Sequence, residues 1–594
     1  IQAYNPYAFF DSRNPKQTRQ QLNGSIYLDW NVFKGFTAHV DYALSFSNYF
    51  QKRADTPTGA AYDFQTGKDI GRYYVADNVG VSDNNTTNYK TQLNGRLQYE
   101  TTIAQNHNIG AMFVYSEEYW HTRSTGASRN DRIHPSTSEI NSALTNVQSN
   151  SGSSASEGLR SYIGRMNYSA YDKYLLEFSF RVDGSSKFIK GHQYGFFPTV
   201  AVGWRFTEEE FLKKYLSSWL SSGKLRASWG KLGDNSGVGR FEQLETLTAM
   251  NYMSSDVVKG FVNKKMINKD LSWEVSTDIN VGLDLGFLNN RLRTEIDFYN
   301  RLRTGMNRPS QMSIHLTGAY SAPRANIGDL LNRGLELNLT WKDKIGNVEY
   351  SVNLNGAYNR TVLKEWNEFL SRGWVYLDMP YHFLYVYENN GIAQTWQDIY
   401  NNTPQGLSPG DVIRKDLNGD GIIDGKDKKA YPNIQRDRPT TTYGITLQAA
   451  WKGFDISMLF NGGLGRKDFW LTDFNNTAFA DRRYASTWDH WTEPWSLENR
   501  GGEWPRLGTS TDRSDNSYWL YNMNYLRMKN IMLGYNLPKK LLSKISMTNL
   551  RIYASAENLF TVTQYPGLDP EKKNSARDLY PINRSFSIGL NVSF

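Results

Sequence analysis

Ser585-Phe586-Ser587-Ile588-Gly589-Leu590-Asn591-Val592-Ser593-Phe594 alternates without a break. Phe586, Ile588, Leu590, Val592 and Phe594 fall on one face. Ser585, Ser587, Gly589, Asn591 and Ser593 fall on the other. A period of two marks a strand with one apolar face; a helix would repeat every three to four residues. The same pattern recurs upstream. Leu335, Leu337, Leu339 and Trp341 alternate with Glu336, Asn338 and Thr340, and Val348, Tyr350, Val352 and Leu354 alternate with Glu349, Ser351 and Asn353. From Trp273 to Phe287 the odd positions are mostly apolar.

Read this way, the chain holds about seventeen strands, near 20–31, 36–52, 86–101, 107–120, 157–170, 173–185, 194–206, 223–231, 272–287, 291–303, 326–341, 347–360, 440–451, 454–463, 524–537, 548–560 and 583–594. Short connections (Phe33–Gly35, Tyr171–Asp172, Asn289–Asn290, Asp343–Gly346, Lys452–Gly453) alternate with long ones (53–85, 121–156, 232–271, 304–325, 361–439, 464–523, 561–582). A soluble sandwich also alternates in hydropathy, but it has no reason to gather every long loop at one end. Short periplasmic turns and long extracellular loops are the pattern of an outer-membrane barrel, whose tilted strands cross the bilayer in about ten residues. The expected fold is therefore all-β, a transmembrane antiparallel β-barrel with long extracellular loops, filling 1–594.

Composition excludes the rivals. The net charge of +8 is spread over 594 residues with no basic block, so no nucleic-acid partner is expected. There is no cysteine, hence no disulfide framework, thiolate metal site or cysteine nucleophile. The mean hydropathy is −0.61 and no run of 18 apolar residues occurs, which excludes helical spans. Aromatic residues make up 14% of the chain, too many for disorder. The sequence opens on Ile1 rather than Met, without a charged or apolar signal-like stretch, so processing or a fragment of a longer chain is the expectation. An odd strand count, with the last strand ending on the short-turn side, makes further strands before Ile1 the expectation. One short-side turn is larger. Thr207 and Glu210 have the spacing of a capping box opening a small helix.

Several blocks resemble a known family. Asn524-Tyr525-Leu526-Arg527-Met528-Lys529-Asn530-Ile531-Met532-Leu533-Gly534-Tyr535-Asn536-Leu537-Pro538 resembles the "LR-K-N-LGY-LP" signature of SusC-like TonB-dependent transporters (the SusC/RagA family). Leu550–Phe560 and Tyr565-Pro566-Gly567-Leu568-Asp569-Pro570-Glu571 follow in family order, and Phe594 is the aromatic end. Upstream, Arg181-Val182-Asp183-Gly184-Ser185-Ser186-Lys187-Phe188, Gly195-Phe196-Phe197-Pro198, Leu225-Arg226-Ala227-Ser228-Trp229-Gly230 and Asn5-Pro6 match further blocks. The resemblance implies a 22-stranded barrel with a plugged lumen, of which about five strands, plug and TonB box would precede Ile1. It also implies TonB as energy source, a SusD-like surface lipoprotein as lid, an oligosaccharide or peptide as cargo, and the lipid and lipopolysaccharide of a Bacteroidota-type cell outer membrane as surroundings.

Asp416-Leu417-Asn418-Gly419-Asp420-Gly421-Ile422-Ile423-Asp424-Gly425-Lys426-Asp427 lies in the extracellular loop 361–439. Asp416, Asn418, Asp420, Asp424 and Asp427 stand at positions 1, 3, 5, 9 and 12 of an EF-hand-like loop, Gly421 at 6, and the Ile422 carbonyl at 7. Hard oxygen ligands at this spacing suit a structural Ca²⁺, although Asp at position 12 reaches less far than Glu. The alternatives are an Asp/Asn/Gly turn without metal and a dockerin-like module. The second needs two such loops, and Pro432 discourages an exit helix.

The loops also carry many large aromatics, among them Trp366, Trp374, Tyr376, Tyr385, Trp396, Trp470, Trp488, Trp491, Trp495 and Trp504. Such rings stack on sugars, grip peptides or pack loops against a capping partner. Tyr535 and Tyr553 near strand ends read as girdle residues, and Glu336, Arg551 and Glu557 as lumen groups. No nucleophile elbow or metalloprotease motif is present, so no enzyme is expected. The expected function is active import of a large nutrient. The alternatives are a SusC-like barrel serving as a structural or assembly part of a larger envelope complex, and a siderophore-type receptor.

Overall fold

The computed structural model describes residues 13–55, 58–62, 69–75, 80–132, 134, 136–144, 148–216, 219–253, 257–263, 265–313, 315, 322–368, 376–380, 383–469, 493–506, 516–542, 547–572 and 582–593. Seventeen strands form one antiparallel sheet, each paired with its neighbour in sequence. They are β1 Arg13–Phe33, β2 Phe36–Asp55, β3 Gly80–Ile103, β4 His107–Asn130, β5 Gln148–Ala170, β6 Tyr174–Ser185, β7 Tyr194–Trp204, β8 Leu220–Asp234 and β9 Glu274–Phe287. The remainder are β10 Leu292–Thr304, β11 Asp329–Ile345, β12 Val348–Glu365, β13 Thr441–Trp451, β14 Phe454–Leu464, β15 Tyr525–Asn536, β16 Asn549–Thr563 and β17 Ser585–Ser593. Among the described residues β1 pairs only with β2, and β17 only with β16. No helix there is long and apolar enough to cross a membrane.

The alternation sets the two faces. Phe586, Ile588, Leu590 and Val592 are 40–85% exposed on the outer surface, and Leu335 and Leu337 of β11 are exposed there too. Leu337 sits opposite Ile296 of β10, so the outer faces of neighbouring strands align. A continuous apolar band on the outside of a sheet is stable only in lipid. The inner face carries the charges instead.

Three features depart from the sequence reading. First, β3, β4 and β5 run to 23 or 24 residues, and the connections after β2 and β4 shrink to 56–79 and 131–147. The extra length is rich in Ser, Thr and Asn. Where both faces meet water the alternation disappears, yet backbone pairing continues, helped by cross-strand bonds such as Thr86–Ser124 at 3.0 Å and Ser128–Ser149 at 2.7 Å. Second, Thr207 does not cap the helix that follows (α1, Glu210–Leu216). It lies one turn earlier, buried in a short 3-10 segment, and its hydroxyl takes the Gly223 N–H at 2.9 Å. Third, Tyr553 is not a girdle residue. It shares the inner face with Arg551, whose guanidinium lies 5.2 Å from its ring, whereas Ile552 points out. Tyr535 does stand near a rim, against Phe454 at 4.5 Å.

A bulge re-aims β15. The register to β14 and to β16 shifts between Met528 and Asn530, so one extra residue reverses the facing. Below the bulge Leu533 points outward; above it Arg527 points into the barrel mouth.

Candidate functional site

The described parts of the long connections, chiefly 383–440, 465–469, 493–506, 516–524 and 564–572, build a folded cap over that mouth. Short antiparallel pairs frame it: Phe383–Tyr387 with Lys428–Gln435, and Lys467–Phe469 with Leu520–Asn522. Their shared core is Leu384, Val386, Val412, Phe469, Trp519 and Met523, closed by Tyr565. Loops normally stay on the surface because buried backbone needs partners. Here the small sheets supply those partners, so apolar side chains from three loops can be buried together.

A buried charge cluster roots this cap on the barrel wall. Arg527 Nη2 donates to Asp569 Oδ1 at 2.8 Å, and both side chains are almost fully buried. Arg527 also donates to Thr561 Oγ1 at 2.8 Å and pairs with Glu571. Glu571 accepts further bonds from Tyr525 at 2.8 Å and Asn461 at 3.0 Å. Burial alone would raise the Glu571 carboxyl, but these donors and the Arg527 and Lys529 charges pull it below its ordinary range. Buried Arg466 caps the same turn, donating to the Pro570, Glu571 and Lys572 carbonyls at 3.1 Å each. Two of the sequence blocks that carry the resemblance, 524–538 and 565–571, thus meet in space. Sequence reasoning did not assign these residues a role, although Arg527, Asp569 and Glu571 all stand inside the quoted blocks.

The structure scatters the aromatic candidates. Trp495 is buried over Gly410 and donates through Nε1 to Gln394 Oε1 at 2.8 Å. Trp504 lies partly buried against Trp519, with ring centroids 6.5 Å apart. These two pack the cap. Trp366 covers Gly328 at the loop root. Tyr376 and Trp396 are exposed, at 44% and 56%. Tyr376 meets Phe383 and Tyr385 edge-on, and Tyr385 donates to the Gly425 carbonyl at 3.1 Å. That bond ties the aromatic group to the Asp-rich loop. Trp374, Trp470, Trp488 and Trp491 lie outside the described residues.

The Asp-rich loop is a tight turn held by its own carboxylates. Asp416 accepts the Gly419 and Gly421 N–H groups at 2.6 and 2.9 Å and the Thr403 hydroxyl at 3.1 Å. Gly421 has φ +80 with open space around it, a conformation L side chains adopt only with strain. Burial would raise the Asp416 carboxyl, but its N–H donors outweigh that and hold it low. Asn418 and Asp420 bond to each other, and Asp420 accepts the Ile422 N–H at 2.9 Å. Asp424 caps the turn at Lys426, and fully buried Asp427 takes the Leu417 and Asp424 N–H groups at 2.9 and 2.8 Å. The donor chemistry suits a hard cation. As the side chains stand, no three acidic groups among the described residues lie close enough together to grip one.

Inside the barrel near the short turns, polar groups line a cavity of about 1310 Å³, among them Glu100, Asn167, Glu177, Lys224 and Arg226. Arg226 grips two carboxylates, Asp284 at 2.9 Å and Asp297 at 2.7 and 2.8 Å. Gly282 leaves the room for it, since a Cβ there would sit 2.5 Å from the guanidinium carbon. Arg551 and Asp455 repeat the arrangement over Gly534. Such bidentate pairs hold a polar lumen wall rigid.

Residues 2–408 match the family described as TonB dependent receptor-like, beta-barrel. TonB-dependent receptor P3 of Formosa agariphila is 28% identical over 93% of this chain and 59% of its own length. TonB-dependent receptor SusC of Bacteroides thetaiotaomicron is 28% identical over 99% of this chain and 57% of its own length. The structure of the RagAB peptide transporter superposes with a TM-score of 0.82 at 22% identity, over 99% of this chain and 63% of that one. The chain spans about three fifths of the length of the curated relatives it matches.

Proposed function

Since the chain belongs to the TonB-dependent receptor-like β-barrel family of the Gram-negative outer membrane, we propose that it forms the barrel wall and outer mouth of an active nutrient importer. The cargo is an oligosaccharide or a peptide, import is energised through TonB, and a SusD-like lipoprotein closes over the long-loop side of a Bacteroidota-type cell. The observation that carries this is the folded cap rooted by Arg527, Asp569 and Glu571 above a polar lumen. A wall of fixed charges suits a water-filled passage or a polar plug, and a cap with its own core gives a lid something firm to seat on. The RagAB peptide transporter, similar in fold, favours a peptide, and the oligosaccharide alternative rests on the SusC-like sequence blocks alone. Exposed Tyr376 and Trp396 suit either, by stacking or by apolar grip.

A structural Ca²⁺ at 416–427 belongs to this reading. Asp416, Asn418, Asp420, Asp424, Asp427 and the Ile422 carbonyl would hold it, and its charge would stiffen the loop that Tyr385 touches. The test of the whole reading is purification of the intact protein from its membrane in gentle detergent, with mass spectrometry of what accompanies it. One stoichiometric SusD-like lipoprotein, with uptake lost when TonB is deleted, is the expected result. A larger set of assembly proteins without uptake would replace the importer by a structural role.

A further inference from the structure

In the short-rim connection after β7, residues 205–216 fold back against the outer wall of the barrel. Buried Glu209 accepts hydrogen bonds from Tyr174 Oη at 2.6 Å and Trp204 Nε1 at 3.1 Å. Tyr174 and Trp204 stand opposite each other in register on the outward faces of β6 and β7. Phe206 lies edge-on to Trp204 and covers Gly223, on the outward side of β8. Thr207 fastens the same point through the Gly223 N–H. The turn is therefore pinned at the lower margin of the lipid-facing band.

Pinned there, α1 shows two opposite faces. Phe211 and Tyr215, four residues apart and so on one side, are 64% and 74% exposed. Lys213 lies about 180° round the helix from their midpoint at 100° per residue. It is exposed too and reaches Glu208 at 3.7 Å. Lys214 flanks the aromatic side. Trp219 follows, 50% exposed and stacked on outward-facing Phe287 at 5.8 Å. Large rings left bare on water carry a free-energy cost, whereas rings at a headgroup boundary with lysines beside them match both media.

We propose that α1 is an interfacial anchor: Phe211 and Tyr215 enter the headgroup–acyl boundary of the membrane's inner leaflet, and Lys213 and Lys214 remain at its phosphates and in water. This rests on the outer-membrane reading, with the short turns on the periplasmic side. The anchor continues the apolar band past the last strand residues and fixes the height and tilt of the barrel at this point of its circumference.

Residues 1–594 contain no cysteine, so each introduced nitroxide label is unique within them, and any cysteine elsewhere in the full protein is replaced by serine. The full protein is reconstituted into vesicles of phosphatidylethanolamine and phosphatidylglycerol. Labels are placed through F211C, Y215C, K213C and, as a mid-barrel reference on the outer face, F298C. Collision with oxygen reports lipid, and collision with a water-soluble nickel chelate reports water. The expected result is a several-fold higher oxygen-to-nickel ratio at positions 211, 215 and 298 than at 213. A water-like ratio at 211 or 215 with a lipid-like ratio at 298 would overturn the anchor and leave the barrel reading intact. A lipid-like ratio at 213 would overturn the two-faced orientation. A water-like ratio at 298 would overturn the membrane placement, and the anchor with it.

Discussion

Arg527 on β15 and Asp569 in the connection after β16 form a 2.8 Å ion pair with side chains only 3% and 1% exposed. Removing one partner from such a pair leaves a buried charge uncompensated, at a cost of about 3–5 kcal/mol. R527M is therefore expected to free the cap, with protease cleavage appearing in 564–584 while the barrel stays heat-resistant on gels. R527M combined with D569L removes the two most buried charges and leaves Glu571 to Lys529, Tyr525 and Asn461, so it should recover much of the loss. A single variant as protease-resistant as the parent would show that the pair does not root the cap.

Facing along β11 gives a second test. Leu337 is exposed on the outer band, and Asn338 bonds Glu295 at 3.2 Å and Asn353 at 2.7 Å on the inner face. An Arg at a lipid-facing site near the bilayer midplane costs about 2–4 kcal/mol. L337R should lower the folded fraction in vesicle refolding, and L590R should do the same. N338R, with Glu295 at hand, should refold like the parent. Equal losses at 337 and 338 would refute the assignment of faces.

Much of this was legible from residues 585–594 outward, because a membrane imposes alternation on every strand it covers. What the membrane does not cover was not. The upper parts of β3, β4 and β5 are polar on both faces, so Thr86–Ser124 and Ser128–Ser149 pair without any hydropathy signal. The bulge at Lys529 was hidden for a related reason, since one extra residue leaves composition unchanged and reverses the facing. Arg527 and Asp569 are 42 residues apart, and no local spacing rule joins them. Composition revealed a loop aromatic cluster, but only packing distinguishes buried Trp495 from exposed Trp396.

Gly282 leaves the space that the Arg226 guanidinium fills. A Cβ on Gly282 would stand 2.5 Å from the Arg226 Cζ and 2.7 Å from Asp297 Oδ1. Displacing a group from a filled site costs about 1–3 kcal/mol. G282A should lower the unfolding midpoint in urea, and G282V should lower it further. G95A, where a Cβ meets nothing within 4 Å, should leave it unchanged. Matching midpoints for G282V and G95A would mean that the Arg226 clamp yields freely.

The Asp416 turn should respond to acid. Its carboxyl is held below the ordinary value because the ionised form accepts the Gly421 and Gly419 N–H groups and the Thr403 hydroxyl. A depressed folded-state value means stability that is present above the unfolded carboxylate range and is lost as pH falls through the folded one. Amide exchange at Gly419 and Gly421, corrected for intrinsic rates, should show protection at neutral pH that disappears only below the usual carboxylate range. The cleaner control is D416N, which keeps the size and removes the charge. It should lose that protection at neutral pH. Protection unaffected by acid and by D416N would show that the turn is held by its backbone alone.

The same turn decides the Ca²⁺ reading. Asp427 spends both oxygens on the Leu417 and Asp424 N–H groups, and Asp416 spends its own on Gly419 and Gly421. An ion would have to compete with those bonds, so it adds rigidity only by drawing Asp416, Asp420 and Asp424 in together. Tyr385 would transmit that rigidity to Tyr376 and Phe383 through its bond to the Gly425 carbonyl. Chelation of the purified protein should therefore raise cleavage within 366–440 and leave the barrel fragment intact, and added Ca²⁺ should reverse it where Mg²⁺ does not. D420A should be cleaved equally with and without chelator. Terbium added to the parent should luminesce on tryptophan excitation and be displaced by Ca²⁺, and in D420A it should not. Cleavage of the parent that ignores the chelator, together with no terbium signal, would leave 416–427 as a carboxylate-capped turn and nothing more.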